Sequence, residues 1–170
     1  MLKTMTSTTP INTEITLAQD LFKKQIAVVT NQIHQRVIDV GLQDWLNTNL
    51  GANTSVYREL KKSCENGVAE GWLCAREMSG IRFGRIFKPC EELNGFSVDV
   101  VLMEDIAGPH HTHPHGEIDL IMPIDASAKF DGHPGGWFVC PPGSSHSPTV
   151  SSGRAIVLYL LPQGAIEFTK

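Results

Sequence analysis

The stretch Gly108-Pro-His-His-Thr-His-Pro-His-Gly-Glu117 contains four of the seven histidines of this 170-residue chain. His111 and His113 stand two positions apart, so on a β-strand both side chains point to the same face. Glu117 follows across a Pro/Gly turn that can reverse the chain and return the carboxylate to the histidine pair. Two imidazoles and a carboxylate on a rigid scaffold are donors that suit a divalent first-row metal. The spacing therefore predicts three ligands of a metal site.

A second stretch, Gly135-Gly-Trp-Phe-Val-Cys-Pro-Pro-Gly-Ser-Ser-His146, can add a fourth ligand. Its Pro-Pro-Gly segment predicts a tight corner, because proline fixes φ and glycine accepts conformations closed to other residues. His146 follows that corner and brings a third imidazole. Three imidazoles and a carboxylate do not select one metal, so iron, manganese, nickel, cobalt and zinc all remain open. The predicted ligands are His111, His113, Glu117 and His146.

The composition excludes several classes of protein. The net charge is 14 − 18 = −4, so the chain offers no basic surface for nucleic acid or an anionic membrane. No segment approaches the roughly 18 apolar residues of a transmembrane helix. The four cysteines are scattered without CxxC spacing, and the first ten residues lack the pattern of a secretory signal. We therefore expect a cytoplasmic protein with reduced thiols and with no nucleic-acid or membrane partner.

The pattern of apolar residues changes near residue 71. Residues 1–12 are typical of a disordered tail. Over residues 13–70, apolar positions recur every three or four residues, which predicts helices with a break at Gly41 and a later cap at Asn53 or Thr54. Over residues 71–170, short β-like runs alternate with glycine and proline, which favours an all-β sandwich or barrel. The predicted strands are 71–76, 81–87, 96–103, 108–115, 117–123, 136–140 and 154–161.

The two histidine-containing stretches resemble the two sequence motifs of the cupin superfamily. The resemblance implies a mainly β fold, the cupin double-stranded β-helix (a small β-barrel or jelly roll), here with an N-terminal α-helical region. It also implies that the four predicted ligands bind a metal inside the barrel. The chain departs from the motifs at turn-forming positions, since Gly108 lies too close to His111, the closing glycine is replaced around Ile124, and Val150 stands in place of the final asparagine.

The stretch from His110 to Ile166, together with the helical region, further resembles the cupin family of 4-hydroxylaminobenzoate lyases. This resemblance implies a small aromatic acid as substrate: 4-hydroxylaminobenzoate and water would give 3,4-dihydroxybenzoate and ammonium, with the metal as a Lewis acid. Two alternatives stay open from the residues alone. One is an iron-dependent cupin dioxygenase, which would require oxygen, and the other is a non-catalytic cupin that binds a small molecule.

Two side chains near the predicted ligands could carry protons in such a reaction. His115 shares a face with His111 and His113 if the strand continues, although it also fits an exposed turn. Asp119 shares the face of Glu117, where burial and neighbouring charge would tune its pKa, although a surface carboxylate fits the pattern equally. Both residues are therefore predicted catalytic candidates.

Arg85 is the predicted substrate-binding residue. It alternates in phase with Ile81, Phe83 and Phe87, and an arginine on an apolar face needs an anionic partner. That partner is either the carboxylate of a benzoate substrate or an internal aspartate or glutamate. His110 and His133 fit loops and receive no role. The apolar stripe of the N-terminal helices must be buried against the barrel or a second subunit, and we expect a homodimer.

Overall fold

The computed structural model describes residues 10–169, and its first 61 residues are mainly helical, in α1 (Pro10–Ile33), α2 (Val40–Asn49) and α3 (Ser55–Glu70). The Asp39 side chain caps α2 by accepting from the Leu42 amide, and Thr54 caps α3 by accepting from the Tyr57 amide. The predicted break at Gly41 is wrong, because α1 already ends at Ile33 and Gly41 lies in the first turn of α2.

Residues 1–9 of the expected tail lie outside the described residues, and residues 10–12 belong to α1. The predicted strand over 71–76 is wrong for most of its length. Gly71 adopts a left-handed conformation (φ 84°) that terminates α3, and the chain turns before the first strand starts at Arg76. Within residues 10–169 no helix is both long enough and apolar enough to cross a membrane.

Within residues 10–169, ten strands follow the helices and form two antiparallel sheets, with a short 3-10 helix at Glu91–Leu93. The strands are β1 (Arg76–Met78), β2 (Ile81–Phe87), β3 (Phe96–Ala107), β4 (His111–Thr112), β5 (Glu117–Pro123), β6 (Lys129–Phe130), β7 (Gly136–Cys140), β8 (Ser145–His146), β9 (Thr149–Pro162) and β10 (Glu167–Phe168). The large sheet has the order β1-β2-β3-β9-β5-β7, with β6 paired to β9, and the small sheet has the order β10-β4-β8. The predicted mainly β fold with an N-terminal helical region is confirmed.

Alternation along the strands divides the large sheet into two faces. Even-numbered residues of β3, β5 and β9, such as Val100, Leu120 and Leu158, pack with the helices in one buried cluster. Odd-numbered residues such as Val101 and Val157 form a second cluster on the opposite face, which we call the inner face. This period of two explains why single polar residues in these apolar strands, Glu117 and Asp119 among them, point inward together.

Helix α2 covers the β7 edge of the large sheet. The Asn47 side chain accepts a hydrogen bond from the Trp137 amide and donates one to the Trp137 carbonyl, both at 2.8 Å. The Gln43 side chain accepts from the Val139 amide at 3.0 Å. The helix thereby satisfies backbone groups of the edge strand β7 that a neighbouring strand would otherwise pair.

Candidate metal centre

The four predicted ligands come from two short strands, a turn and the start of a long strand. His111 in β4 lies directly opposite His146 in β8. His113 follows β4, and a turn with Gly116 at φ 92° leads into Glu117, the first residue of β5. A side chain at position 116 would meet Ile38 and the Cys140 carbonyl, so glycine is needed for the turn that returns Glu117 to the histidines.

The four side chains converge within a buried space. His113 and Glu117 are fully buried, His111 is 2% exposed, and the His146 side chain is 15% exposed. Glu117 Oε2 lies 3.0 Å from His113 Nε2 and 3.4 Å from His146 Nε2, and Glu117 Oε1 lies 3.6 Å from His111 Nε2. One potential ligand atom from each of the four residues lies within 4.8 Å of the others. The spacing of the two motifs thus identified a compact set of nitrogen and oxygen donors.

Each imidazole is oriented by an acceptor at its other nitrogen. His111 Nδ1 lies 3.2 Å from the Pro109 carbonyl oxygen, and His146 Nδ1 lies 2.5 Å from Asp131 Oδ2. These oxygens only accept, so both Nδ1 atoms carry the hydrogen.

His113 reaches the same state through a hydroxyl group. Its Nδ1 lies 2.9 Å from Ser144 Oγ, whose own hydrogen is donated to the Pro141 carbonyl at 2.6 Å. Ser144 therefore accepts from His113. All three rings consequently present an Nε2 lone pair to the shared centre, which is the orientation that metal ligands require.

The donor set fits a divalent cation. Both carboxylate oxygens of Glu117 and the Nε2 atom of His113 are buried without a hydrogen-bond partner among the described residues. His111 Nε2 and His146 Nε2 lie only 3.0 Å apart. Lone pairs at this separation repel unless a cation or a proton lies between them, and buried polar atoms without partners are costly. Three imidazoles and one carboxylate could hold iron, manganese, nickel, cobalt or zinc.

The charges around the cluster favour a positive charge in the same place. Burial works against ionisation of Glu117, but the three neighbouring imidazoles hold its pKa well below its usual range. Burial also works against charging His146, but Asp131 and Glu117 outweigh it and raise the pKa of His146 to about 9. The cluster therefore attracts positive charge.

Asp119 lies on the inner face beside this cluster. It is fully buried, and one potential ligand atom each from Asp119, Glu117 and Cys140 lies within 4.8 Å of the others. Its Oδ1 has no hydrogen-bond partner among the described residues, and its Oδ2 lies 3.9 Å from the Cys140 thiol. Burial and the neighbouring Glu117 raise the pKa of Asp119 well above its usual range. The expectation that Asp119 shares the face of Glu117 is confirmed.

Arg85 is paired within the protein. Its guanidinium donates to both Asp99 carboxylate oxygens, at 3.0 and 3.1 Å, and to the Gly164 carbonyl at 3.2 Å. Arg85 faces inward with Ile81 and Phe83 as expected, but a bulge between residues 85 and 87 turns Phe87 to the helical side. Of the two partners considered for Arg85, the structure shows the internal carboxylate.

His115 does not join the cluster. Strand β4 ends at Thr112, so alternation does not extend to position 115, and His115 is exposed in the turn before Glu117. The expectation of a shared face with His111 and His113 is therefore wrong. His110 is exposed and contacts Thr169, and His133 stacks on Phe138 with ring centroids 4.2 Å apart.

Three polar residues of this region were missed by sequence reasoning. Asp131 and Ser144 hold ligand imidazoles, and Tyr159 is a buried inner-face residue whose hydroxyl has no partner among the described residues. Ser144 lies within the second motif, two residues before a ligand, which was an available signal. Asp131 and Tyr159 reach the site only through the pairing of distant strands.

The comparisons with known proteins point to one family. The family model described as 4-hydroxylaminobenzoate lyase matches residues 24–168. A protein of that name from Nocardioides sp. (strain LMS-CY) is 34% identical over 159 residues, covering 88% of this chain and 94% of the relative. Another from Pseudomonas putida is 32% identical over 154 residues, covering 81% of this chain and 88% of the relative.

Solved structures similar to part of this chain include an RmlC-like cupin protein from Ralstonia eutropha JMP134, with a TM-score of 0.43, 14% identity, and coverage of 56% of this chain and 64% of that one. Oxalate oxidase in complex with the substrate analogue glycolate has a TM-score of 0.38 and 20% identity, with coverage of 55% of this chain and 57% of that one. Both likenesses cover little more than half of this chain. The match of the family model and of both named relatives over most of the sequence shows that the chain belongs to the 4-hydroxylaminobenzoate lyase family.

Proposed function

We propose that this protein is a metal-dependent lyase that converts 4-hydroxylaminobenzoate and water into 3,4-dihydroxybenzoate and ammonium. The observation that carries the proposal is the convergence of three Nε2 lone pairs on the buried carboxylate of Glu117, in a chain of this family. The reaction is balanced without an external oxidant or reductant, because the nitrogen is reduced while the ring gains an oxygen. It needs binding of the substrate, polarisation of its N–O bond and transfer of protons.

We assign metal binding to His111, His113, Glu117 and His146. A divalent metal bound there supplies a Lewis acid that can polarise the N–O bond of the substrate. The hydrogen bonds at the three Nδ1 atoms fix the ring orientations in advance. The imidazole rings therefore lose little rotational freedom when they bind a metal. The carboxylate of Glu117, which is fully buried, contributes negative charge to the ligand set.

We assign proton transfer to Asp119. Its Oδ1 is buried without a partner on the inner face next to Glu117, where it can give a proton to, or take one from, the reacting end of a substrate. His115 is not assigned this role because it is exposed in its turn. Arg85 is not assigned to the substrate carboxylate because Asp99 already occupies its guanidinium group.

We also propose that the protein acts in the cytoplasm as a homodimer. All four cysteines are free thiols, which suits a reducing compartment. Several large apolar side chains on α1 are exposed and could be covered by a second subunit: Leu17, Leu21 and Val28. Light scattering after size-exclusion chromatography measures the mass directly, and a value near that of one chain contradicts the dimer.

The activity test uses purified protein with 4-hydroxylaminobenzoate, with the metal restored after chelation or left out. We expect equal amounts of ammonium and 3,4-dihydroxybenzoate, formed at the same rate in air and under argon, and little product from the chelated protein. A requirement for oxygen would favour a dioxygenase. Binding of aromatic acids without turnover would favour a non-catalytic cupin. Full activity of the chelated protein, with absence of metal verified by elemental analysis, contradicts the role of the metal.

A further inference from the structure

A row of polar side chains crosses the inner face of the large sheet. Arg85 lies opposite Asp99, Asp99 lies opposite Tyr159, and Tyr159 lies opposite Asp119 in the registers of four neighbouring strands. Residues directly opposite one another in paired strands project side chains to the same face. We call these four residues the polar row.

The side chains at one end of the polar row have hydrogen-bond partners, and polar atoms at the other end lack them. Arg85 and Asp99 form a two-fold hydrogen-bonded ion pair. The Tyr159 hydroxyl and Asp119 Oδ1 are buried and have no hydrogen-bond partner within the described part of the chain. A buried hydroxyl without a partner costs on the order of 1–3 kcal/mol, so a phenol at this position needs a partner that residues 10–169 do not provide. Phenylalanine would fill the same apolar surroundings without that cost.

The unsatisfied end lies next to the metal centre. Asp119 is two residues along β5 from Glu117 on the same face, with a carboxylate oxygen of each residue within 4.8 Å of the other. Tyr159 is the neighbour of Asp119 across the strand pair. A group that accepts from the Tyr159 hydroxyl therefore lies beside the predicted metal ligands, at the reacting end of a bound substrate.

The charges around Tyr159 decide which end of the substrate faces it. The carboxyl groups of Glu117, Asp119 and Asp99 share the inner face with Tyr159, and the positive charge of Arg85 is committed to Asp99. Burial raises the pKa of the Tyr159 hydroxyl well above its usual range and these carboxylates raise it further, so the hydroxyl remains a donor. The polar row offers no free cation to a benzoate carboxylate, because Asp99 occupies the guanidinium group of Arg85, whereas an uncharged hydroxylamino group can both donate and accept there.

We propose that Tyr159 is a further catalytic residue, whose hydroxyl donates a hydrogen bond to the hydroxylamino group of the substrate and holds that end, rather than the carboxylate, against the metal centre. This inference rests on the proposed function for the identity of the substrate. It explains why a tyrosine stands in an otherwise apolar run of β9, and it gives Asp119 and Tyr159 a common ligand.

The test compares Tyr159→Phe with Tyr57→Phe, which alters the other tyrosine of the chain. Tyr57 is a matched control because its hydroxyl donates to the Ile121 carbonyl at 2.7 Å, where α3 packs on the sheet. Two quantities are measured on metal-loaded proteins: kcat and KM for 4-hydroxylaminobenzoate, and the calorimetric Kd for 4-hydroxybenzoate, a stable analogue with a hydroxyl at the reacting position. Metal content and thermal stability are recorded for each variant.

For Tyr159→Phe we expect kcat to fall at least about tenfold and the Kd of 4-hydroxybenzoate to rise roughly five- to twentyfold, at unchanged metal content. For Tyr57→Phe we expect lower thermal stability with kcat and Kd within about twofold of wild type. If Tyr159→Phe keeps wild-type kcat and Kd, the inference is wrong, whatever its stability. If the wild type releases no ammonium, the proposed function fails, and the analogue Kd of the two variants still decides whether Tyr159 binds the para substituent.

Discussion

His111 Nε2 and His146 Nε2 face each other at 3.0 Å, while the Nδ1 atom of each ring donates its hydrogen to a fixed oxygen. The two rings meet at nearly a right angle, 89°, with centroids 4.7 Å apart. If both neutral rings carried their hydrogen on Nε2, facing the centre, each would lose the hydrogen bond that its Nδ1 atom now donates. A cation between the rings resolves the conflict, and the first two predictions follow from that geometry.

Glu117→Gln should remove most of the bound metal. The amide keeps the size of the side chain but loses the negative charge, and the three imidazoles alone are a weaker and less neutralising ligand set. We expect metal content, measured by elemental analysis after dialysis, to fall at least about tenfold, with ammonium release falling in proportion. Glu104→Gln, an exposed carboxylate on β3, is the control and should retain both properties. Wild-type metal content in Glu117→Gln contradicts the assigned ligand set.

Asp131→Asn should weaken metal binding without removing a ligand. Asp131 uses both oxygens, Oδ2 for His146 Nδ1 and Oδ1 for the Thr149 amide at 2.8 Å, and an asparagine has only one acceptor oxygen to offer. We expect metal affinity, measured by competition with a chelator, to fall by about 10- to 100-fold. Asp125→Asn is the control. The Asp125 carboxylate also accepts from a backbone amide and a side chain, both of the exposed Arg154, and its substitution should leave metal affinity unchanged. Equal affinities for both variants would show that Asp131 does not orient His146.

Asn47→Ala should destabilise the fold and leave the metal centre intact. The substitution removes both hydrogen bonds to the edge strand and leaves the amide and carbonyl of Trp137 to find new partners. We expect the free energy of unfolding in urea to fall by about 2 kcal/mol. Asn49→Ala removes a hydrogen bond to the Trp45 carbonyl within α2 itself and should change stability by less than about 0.5 kcal/mol. A smaller loss for Asn47→Ala than for Asn49→Ala is incompatible with this role of α2.

Three of the four thiols should resist modification in the folded protein. Burial raises the pKa of Cys74 to about 12, and it raises the pKa of Cys64 and Cys140 as well. At pH 8 we expect a disulfide reagent to label Cys90, the one partly exposed cysteine, and to reach all four only in denaturant. The thiols ionise at lower pH in the unfolded protein than in the folded protein. Their contribution to the free energy of unfolding is therefore complete below about pH 8.5 and is lost as the pH rises towards 12. Rapid labelling of more than one thiol in native protein contradicts this burial.

The cluster of predicted metal ligands could be found from the sequence because its geometry is local. His111 and His113 are ordered by strand alternation, Glu117 by a glycine turn and His146 by a proline corner, and each of these rules operates within ten residues. The prediction for His115 applied alternation beyond the end of β4. The strand stops where Pro114 and Gly116 form the turn, so the pattern no longer determines the face.

Contacts between distant strands were not predictable in the same way. The partner of Arg85 depends on the register of β2 against β3, and the position of Tyr159 beside Asp119 depends on β9 against β5. Without knowing which residues pair between neighbouring strands, the sequence shows only that these residues face inward. The early end of α1 was also hidden from the sequence. Val37 and Val40 continue the helical spacing of apolar residues, but the spacing does not show that both side chains remain exposed.

The pairing of β10 with β4 links the last described strand to the predicted metal ligands. Phe168 lies opposite His111, which in turn lies opposite His146, and the Thr169 amide donates to the His110 carbonyl. Local opening of such a small sheet separates all three strands together, since the central strand has only two residues. A bound cation that bridges β4 and β8 would therefore also slow the exchange of backbone amide hydrogens in β10 with solvent. We therefore expect fraying at residues 167–169 and release of a metal to be coupled, because β10 and β8 pair with the same two-residue strand.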